Sequence, residues 1–427
     1  LGIDTWAVDY GLLDASGALL GAPFHYRDAR TGGVAERIAA TLPPAFQYAR
    51  TGIAQLPFNT LYQLCAERAA GKRFQAASTL LMIPDLLHYW LCGTRVMERT
   101  NASTTGALAL DGTWATDLLE PLGLSAAIFA DLVLPGTYLG NACEPRAAAA
   151  GLSDTAVVAP ATHDTASAVA GLPIAPQATG DAAAFISCGT WSLLGIERAA
   201  PIATEAARRA GFTNETGVAG TTRFLTNIMG LWIVQECRRA WARRVPQNDE
   251  DFWAALAAQT PTGSVVDVDD PALLNPEDMP SALAAQLRRN GEEPVIEPLR
   301  LARAVCEGLA LRYRACLREA QSLAEVRVRA LHLVGGGARS ALLCRLTADA
   351  CEIPVIAGPS EATGYGNLLV QLIAAGGVRD LAQGRELVRR SATLTHYEPH
   401  GEPSLHERAE RLGVLRARMR GLTIAET

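Results

Sequence analysis

A carboxylate beside an imidazole can accept a proton, and His163 and Asp164 stand together in the stretch VVAPATHDTASAV. They follow the apolar run Val157–Ala159 and precede the small residues Ala166–Ala170, so Asp164 sits where a strand gives way to a helix. Two roles are open to it. It can cap the helix from Thr165, since Asp is a favoured N-cap. It can also be a general base at the carboxyl end of a strand, where open α/β sheets take their ligands.

A second set of residues can meet an anion. LVGGGARS (333–340) places Gly335, Gly336 and Gly337 between a strand and a helix. Without Cβ atoms, the backbone there can approach a phosphate or an adenine closely. The third glycine of a dinucleotide fingerprint would fall at Ser340, and no P-loop occurs, so a tight turn explains the motif equally well. SCGTWS (187–192) turns Gly189 and Thr190 either toward a phosphate or simply through a hairpin. In GPSEATGYGN (358–367), Ser360 suits a helix cap, while Gly364 and Gly366 mark close packing or ligand approach. A third set, in GIDTWAVDY (2–10), offers Asp4, Trp6 and Asp9 near a strand end, the polar and aromatic mix a polyol needs. A lone Trp is as well read as core. YRDARTGG (26–33) reads as a solvated turn.

These residues need elements to hold them. The opening reads as two strands, LGID and VDYGLLD, with turn chemistry at Asp14–Gly17. Residues 31–130 read as mainly helical, with an Asn59 cap and a Gly71 stop around TLYQLCAERAA and a helix opening near Pro84. A strand is expected over 155–160, a helix after Asp164, a strand over 182–197, and an amphipathic helix over 227–244. The segment 246–294 reads as peripheral, and a long helix spans 298–324. After it, strand, glycine loop, helix, strand and helix alternate to residue 377, the pattern of an α/β layer. The strand-to-helix junctions near 160 and 336 suggest two related α/β halves facing a cleft.

With 427 residues and 49% hydrophobic residues, the chain exceeds one core, and two domains are expected. The formal net charge is −6, and no long basic run occurs, which disfavours nucleic acid and anionic membranes as partners. Nine scattered cysteines without a C-x-x-C pair read as reduced thiols of a cytoplasmic protein. No signal peptide or uninterrupted apolar span is present.

In order and separation, the segments HDTASAV, CGTWSLLG, NIMGLWIVQECRRAW, VGGGARSALLCRLTADAC and VIAGPSEATGYGN resemble the FGGY family of carbohydrate kinases. GIDTWAVDYGLLD, YRDAR, TGIAQLPFNTLYQL and TNASTTGAL extend the likeness over the whole chain. The resemblance implies an α/β fold of two actin-like (ribonuclease-H-like) ATPase domains with an interdomain cleft. The expected domains are 1–172 for the sugar and 173–427 for the nucleotide. It implies transfer of the ATP γ-phosphoryl group to O1 of L-rhamnulose, with Mg²⁺ on the phosphates, by a monomer or weak homo-oligomer. By this resemblance Asp164 is the catalytic base. Asp4, Trp6, Ala7, His163, Thr165 and Asn227 form the sugar end, and Thr190, Gln235, Gly335, Gly336 and Gly337 the ATP end. Residues that hold the metal are not assigned. Ala7 replaces a glycine of the family pattern DTWG. The family's first hairpin, with its D-x-G-x-S-S-x-R phosphate loop, has no counterpart in these residues, so the first domain is expected to lack it. An active kinase is then expected to carry that loop upstream; the alternative is a sugar-binding fragment or pseudokinase.

Overall fold

A computed structural model describes residues 1–143, 145–175 and 177–419. The chain packs as two units, each discontinuous in sequence, where sequence reasoning drew two continuous stretches. The first gathers Leu1–Pro176, Glu197–Leu225 and Ala362–Ser391; the second gathers Gln177–Ile196, Thr226–Glu361 and Ala392–Thr427.

In the first unit the strand Tyr10–Leu13 pairs antiparallel with Thr79–Met82, and both are buried. Around them Leu61, Leu64, Leu86, Met97 and Leu118 close an apolar core. The helix Thr60–Ala70 packs there and stops at Gly71, as expected. Asn59 occupies the N-cap position but its side chain does not cap: Nδ2 donates instead to the Ala54 carbonyl, 2.7 Å away. The helix Ile83–Cys92 carries its proline in the first turn, where a missing N–H costs no helical bond.

Near residue 160 the strand is short, Ala156–Val158; it pairs with Tyr138–Asn141, and Val158 N–H donates to Leu1 O at 2.9 Å. Pro160 cannot extend a ladder. The helix Asp164–Ala170 follows and packs on the helix Ala362–Ala374. Two glycines make this crossing very close. A Cβ at Gly366 would lie 1.7 Å from the Ser167 carbonyl oxygen, and one at Gly171 would lie 2.3 Å from the Ala362 oxygen. Gly366 is therefore a packing glycine, while Gly364 faces open space.

The second unit is built on a large sheet. Its strands run in the order Thr395–Tyr397, Val355–Ala357, Arg327–Val334, Asp181–Cys188, Trp191–Arg198 and Thr222–Met229; Thr222–Leu225 and the strand paired with it, Thr213–Thr216, fall in the first unit. Arg327–Val334 is parallel to both of its neighbours, whereas Asp181–Cys188 and Trp191–Arg198 form an antiparallel hairpin. The single strand expected over 182–197 is thus two strands, and Gly189 and Thr190 are its turn. The helix Pro298–Ala324 is found at the expected bounds, with Glu297 accepting from Leu299 and Arg300 N–H at its start. The helix expected over 227–244 is shorter, Trp232–Trp241, because Thr222–Met229 is strand. Gly230 marks the change: a Cβ there would lie 2.6 Å from the Trp191 carbonyl carbon. All nine cysteines are free.

Candidate active site

In the first unit two backbone segments bring the chemistry together. Thr5 N–H donates to Thr162 O (3.0 Å) and Asp164 N–H to Thr5 O (2.9 Å), so residues 4–6 run parallel to 162–164. Asp4 and Trp6 are thereby set beside His163, Asp164 and Thr165. Trp6 is 44% exposed, so it is not core. Its indole N–H donates to Oδ2 of the buried Asp9 at 2.8 Å. Asp9 also accepts from Tyr26 N–H (3.2 Å) and Gln63 Nε2 (3.1 Å). Burial lifts its carboxyl above the ordinary range, against those three hydrogen bonds.

The turn between Trp6 and Asp9 is strained. Asp9 N–H donates to Ala7 O at 2.9 Å, and the central residue Val8 has φ 67°. This is a γ-turn of the rare positive-φ kind, held by a β-branched residue. Thr60 Oγ1 (2.8 Å) and Gln63 Nε2 (3.2 Å) clamp the Val8 carbonyl in place. Strain held by surrounding structure is typical of functional loops. Ala7 itself has no positive φ, so its methyl group brings no backbone strain. Arg30 donates to Gln63 Oε1 (2.9 Å) and pairs with the buried Glu67, so YRDARTGG is not a solvated turn but the brace behind Gln63.

Asp164 opens its helix at the first helical position, and His163 holds the N-cap position. A capping Asp would accept from an N–H two or three residues on. Here Oδ1 accepts from the next residue, Thr165 N–H at 2.5 Å and its hydroxyl at 3.1 Å. His163 Nε2 lies 3.3 Å from the same oxygen. No described residue hydrogen-bonds Oδ2, and the side chain is 44% exposed. The carboxylate is tied by one oxygen and open at the other. Asp4 accepts from Asn367, and burial lifts its carboxyl; the Asn367 hydrogen bond opposes the rise and the Asp164 charge adds to it.

His163 is 7% exposed, and its other nitrogen faces a buried ion pair. Nδ1 lies 3.2 Å from Arg223 Nη2 and 3.4 Å from Glu215 Oε2. Arg223 is fully buried and lies directly opposite Glu215 in the strand register, with Nη1–Oε2 at 3.0 Å. Burial pushes Glu215 up, but Arg223 and His163 outweigh it and hold the carboxyl below its usual range. Behind the Asp164 segment, Glu98 Oε2 accepts from Thr162 N–H and hydroxyl, both at 2.9 Å. Sequence reasoning assigned no site role to Glu98, Glu215, Arg223 or Asn367. Charged residues inside the apolar strands VME and TRFLTNIM were the available signal.

In the second unit, two of the residues expected at the ATP end, Gly335 and Gly337, pack on Cys188. Gly335 has φ 79°, and a Cβ there would lie 2.8 Å from the Cys188 carbonyl oxygen. A Cβ at Gly337 would lie 2.3 Å from Cys188 Sγ. A Cβ at Gly336 would come no closer than 4.0 Å to anything, and this glycine is exposed. Two of the three glycines thus serve packing, and the middle one leaves open surface. The hairpin turn is fixed beside them: Leu231 N–H donates to Gly189 O (3.0 Å) and Trp232 N–H to Thr190 O (3.1 Å). Thr190 and Gln235 are exposed around this junction. Beneath it, Ser192 Oγ and Tyr313 OH share a buried 2.7 Å hydrogen bond. Asn227 lies in this second unit, on the strand Thr222–Met229.

Residues 1–171 match the N-terminal domain of the FGGY family of carbohydrate kinases, and residues 184–375 match its C-terminal domain. A rhamnulokinase of Pectobacterium carotovorum subsp. carotovorum (strain PC1) is 42% identical over 404 residues, spanning 94% of this chain and 79% of the relative. A rhamnulokinase of Enterococcus faecalis (strain ATCC 700802 / V583) is 41% identical over 405 residues, spanning 93% and 80%. Among solved structures, a xylulose kinase from Rhodospirillum rubrum aligns with a TM-score of 0.75 at 21% identity, covering 98% of this chain and 84% of the other. A glycerol kinase of Plasmodium falciparum with ADP aligns at 0.76 and 14%, covering 99% and 83%. These structures carry the same two-domain α/β fold. The chain belongs to the FGGY family of carbohydrate kinases.

Proposed function

We propose that the chain phosphorylates L-rhamnulose at O1 with ATP, giving L-rhamnulose 1-phosphate and ADP, with Asp164 as the base. The observation that carries the mechanism is the one-sided carboxylate of Asp164. Oδ1 is held by Thr165 and faces His163, while Oδ2 is open. A sugar hydroxyl becomes acidic as its bond to phosphorus forms, and a positioned carboxylate accepts the proton. Oδ2 takes it, the O–P bond to the γ-phosphoryl group forms, and the bond to the ADP oxygen breaks. Asp4, Trp6 and Ala7, with His163 and Thr165, supply polar and aromatic contacts to the ketose in the first unit, and Asn227 is the sugar contact carried by the second unit. The name shared by the curated relatives supports L-rhamnulose among the ketoses.

The exposed Gly336, which unlike Gly335 and Gly337 packs against nothing, gives the adenine or phosphates a surface free of side chains. Thr190, Gln235, Gly335 and Gly337 frame it. Mg²⁺ enters with ATP as part of the substrate, neutralising phosphate charge. Among the described residues no group of three or more His, Cys, Asp or Glu is placed to hold an ion. No helix among the described residues is long and apolar enough to cross a membrane. The test is ADP release with L-rhamnulose, L-fuculose and L-xylulose in parallel, with the product read by ³¹P NMR. A 1-phosphate formed fastest from L-rhamnulose supports the assignment; equal or greater turnover of another ketose rejects it.

A further inference from the structure

We propose that the buried pair Glu215–Arg223 is a positioning device for phosphoryl transfer: it fixes the tautomer of His163 and, through that ring, the orientation of the Asp164 carboxylate. The inference rests on the reading of Asp164 as the base. Four charged groups face or sense His163. Arg223 comes from the strand Thr222–Met229 and Glu215 from Thr213–Thr216. Asp164 comes from the helix that His163 precedes, and Asp4 acts electrostatically from the opening segment.

The geometry around Nδ1 decides the tautomer. Arginine carries only donors. Nη2 of Arg223, 3.2 Å from Nδ1, therefore needs Nδ1 to accept, which leaves the ring proton on Nε2. Nε2 lies 3.3 Å from Asp164 Oδ1, close but not aligned as a hydrogen bond, so a proton on Nε2 attracts the oxygen that does not take the substrate proton. The competing tautomer would donate from Nδ1 to Glu215 Oε2 at 3.4 Å, setting an N–H against the Arg223 N–H. The Arg223 approach to Nδ1 is the shorter of the two, and Oε2 already faces Arg223 Nη1 at 3.0 Å. Arg223 is in turn anchored by Nε and Nη2 on the Thr216 carbonyl, both at 3.2 Å.

The pair is poorly built for stability alone. Neither Nη1 nor Oε2 makes an aligned hydrogen bond, although Nη1 belongs to a side chain that is fully buried. Such pairs are often neutral or worse than an apolar pair of the same volume. A role in orienting His163 accounts for charges that packing does not require.

The tautomer is read directly by long-range ¹H–¹⁵N NMR on the full chain with ¹⁵N-labelled histidine, the His163 signals being identified by their loss in His163→Asn. The neutral ring of the wild type is expected to carry its proton on Nε2. The double variant Glu215→Gln/Arg223→Met should lose that single tautomer and give a mixture. Its kcat with L-rhamnulose should fall about 10–100-fold, the range for losing an orienting group behind a reacting one, with KM for ATP unchanged. A wild-type ring protonated at Nδ1, or a folded double variant with wild-type kcat, would overturn the proposal. The wild-type spectrum decides even if the double variant does not fold. Asp164→Asn at full turnover would instead reject the base while leaving the tautomer result standing, so the two failures are distinguishable.

Discussion

Gly366→Ala is the sharpest test of how the helix that begins at Asp164 is held. The added Cβ would sit 1.7 Å from the Ser167 oxygen, 2.6 Å from its carbonyl carbon and 2.9 Å from Gly171 N. That first distance is about 1.3 Å short of the 3.0 Å below which Cβ contacts essentially do not occur. The obstacle is backbone on both sides, so no side chain can turn away. Alanine would otherwise gain up to ~1 kcal/mol over glycine inside a helix. Overpacking typically costs about 1–3 kcal/mol, and a main-chain clash belongs at the upper end, so a net loss of about 2 kcal/mol is expected. For a folding unit of this size that lowers Tm by about 4–8 °C. The helix that must move begins at Asp164, one turn from Ser167, and a displacement near 1 Å at a reacting group costs about 10²-fold in rate. Thermal unfolding and ADP-release kinetics measure both effects. Gly364→Ala is the control: it lies in the same helix and faces open space, so it should keep activity and gain slightly in Tm. Gly366→Ala with wild-type Tm and kcat would refute the close crossing.

Gly336→Arg should fold with wild-type Tm and lose ATP binding by isothermal titration, because nothing lies within 4 Å beyond the Cys188 oxygen at 4.0 Å; unchanged affinity would remove Gly336 from the nucleotide surface. Gly337→Ala should lower stability by about 1–3 kcal/mol in urea unfolding, since its Cβ would strike Cys188 Sγ at 2.3 Å. Asp85 is fully buried, and burial, with the nearby Glu98 charge adding, holds its carboxyl well above the ordinary value of 3.8. The folded state therefore binds its proton more tightly than the unfolded chain, so Asp85 favours folding below pH 3.8 and loses that contribution as pH rises through the elevated folded value. Asp85→Asn should gain Tm relative to wild type as pH rises from 5 to 8, and a constant difference across that range would contradict the assignment.

Local signals made much of this legible. The helix Pro298–Ala324 carries its own proline start and apolar stripe, and Gly71 and Pro84 punctuate their helices where expected. Asp164 and the glycines at 335–337 stood out because small or charged residues interrupt apolar runs. The limits were tertiary. The periodicity of NIMGLWIVQECRR reads as one helix, because nothing local shows that Gly230 must lie flat against Trp191. Asn59 looks like a cap until the Ala54 carbonyl competes for its amide. The Glu215–Arg223 pair depends on a strand register, and its meeting with His163 joins residues 60 apart in sequence. That Glu197–Leu225 and Ala362–Ser391 pack with the first unit could not be read from chain order.

The central claim is that Asp164 takes the sugar proton, and the most direct measurement compares Asp164→Asn with wild type for L-rhamnulose-dependent ADP release and for L-rhamnulose binding. The account predicts a turnover loss of about 10²–10⁴-fold with sugar affinity largely kept. Near-full turnover in Asp164→Asn would contradict it and return the residue to a structural role at the helix start.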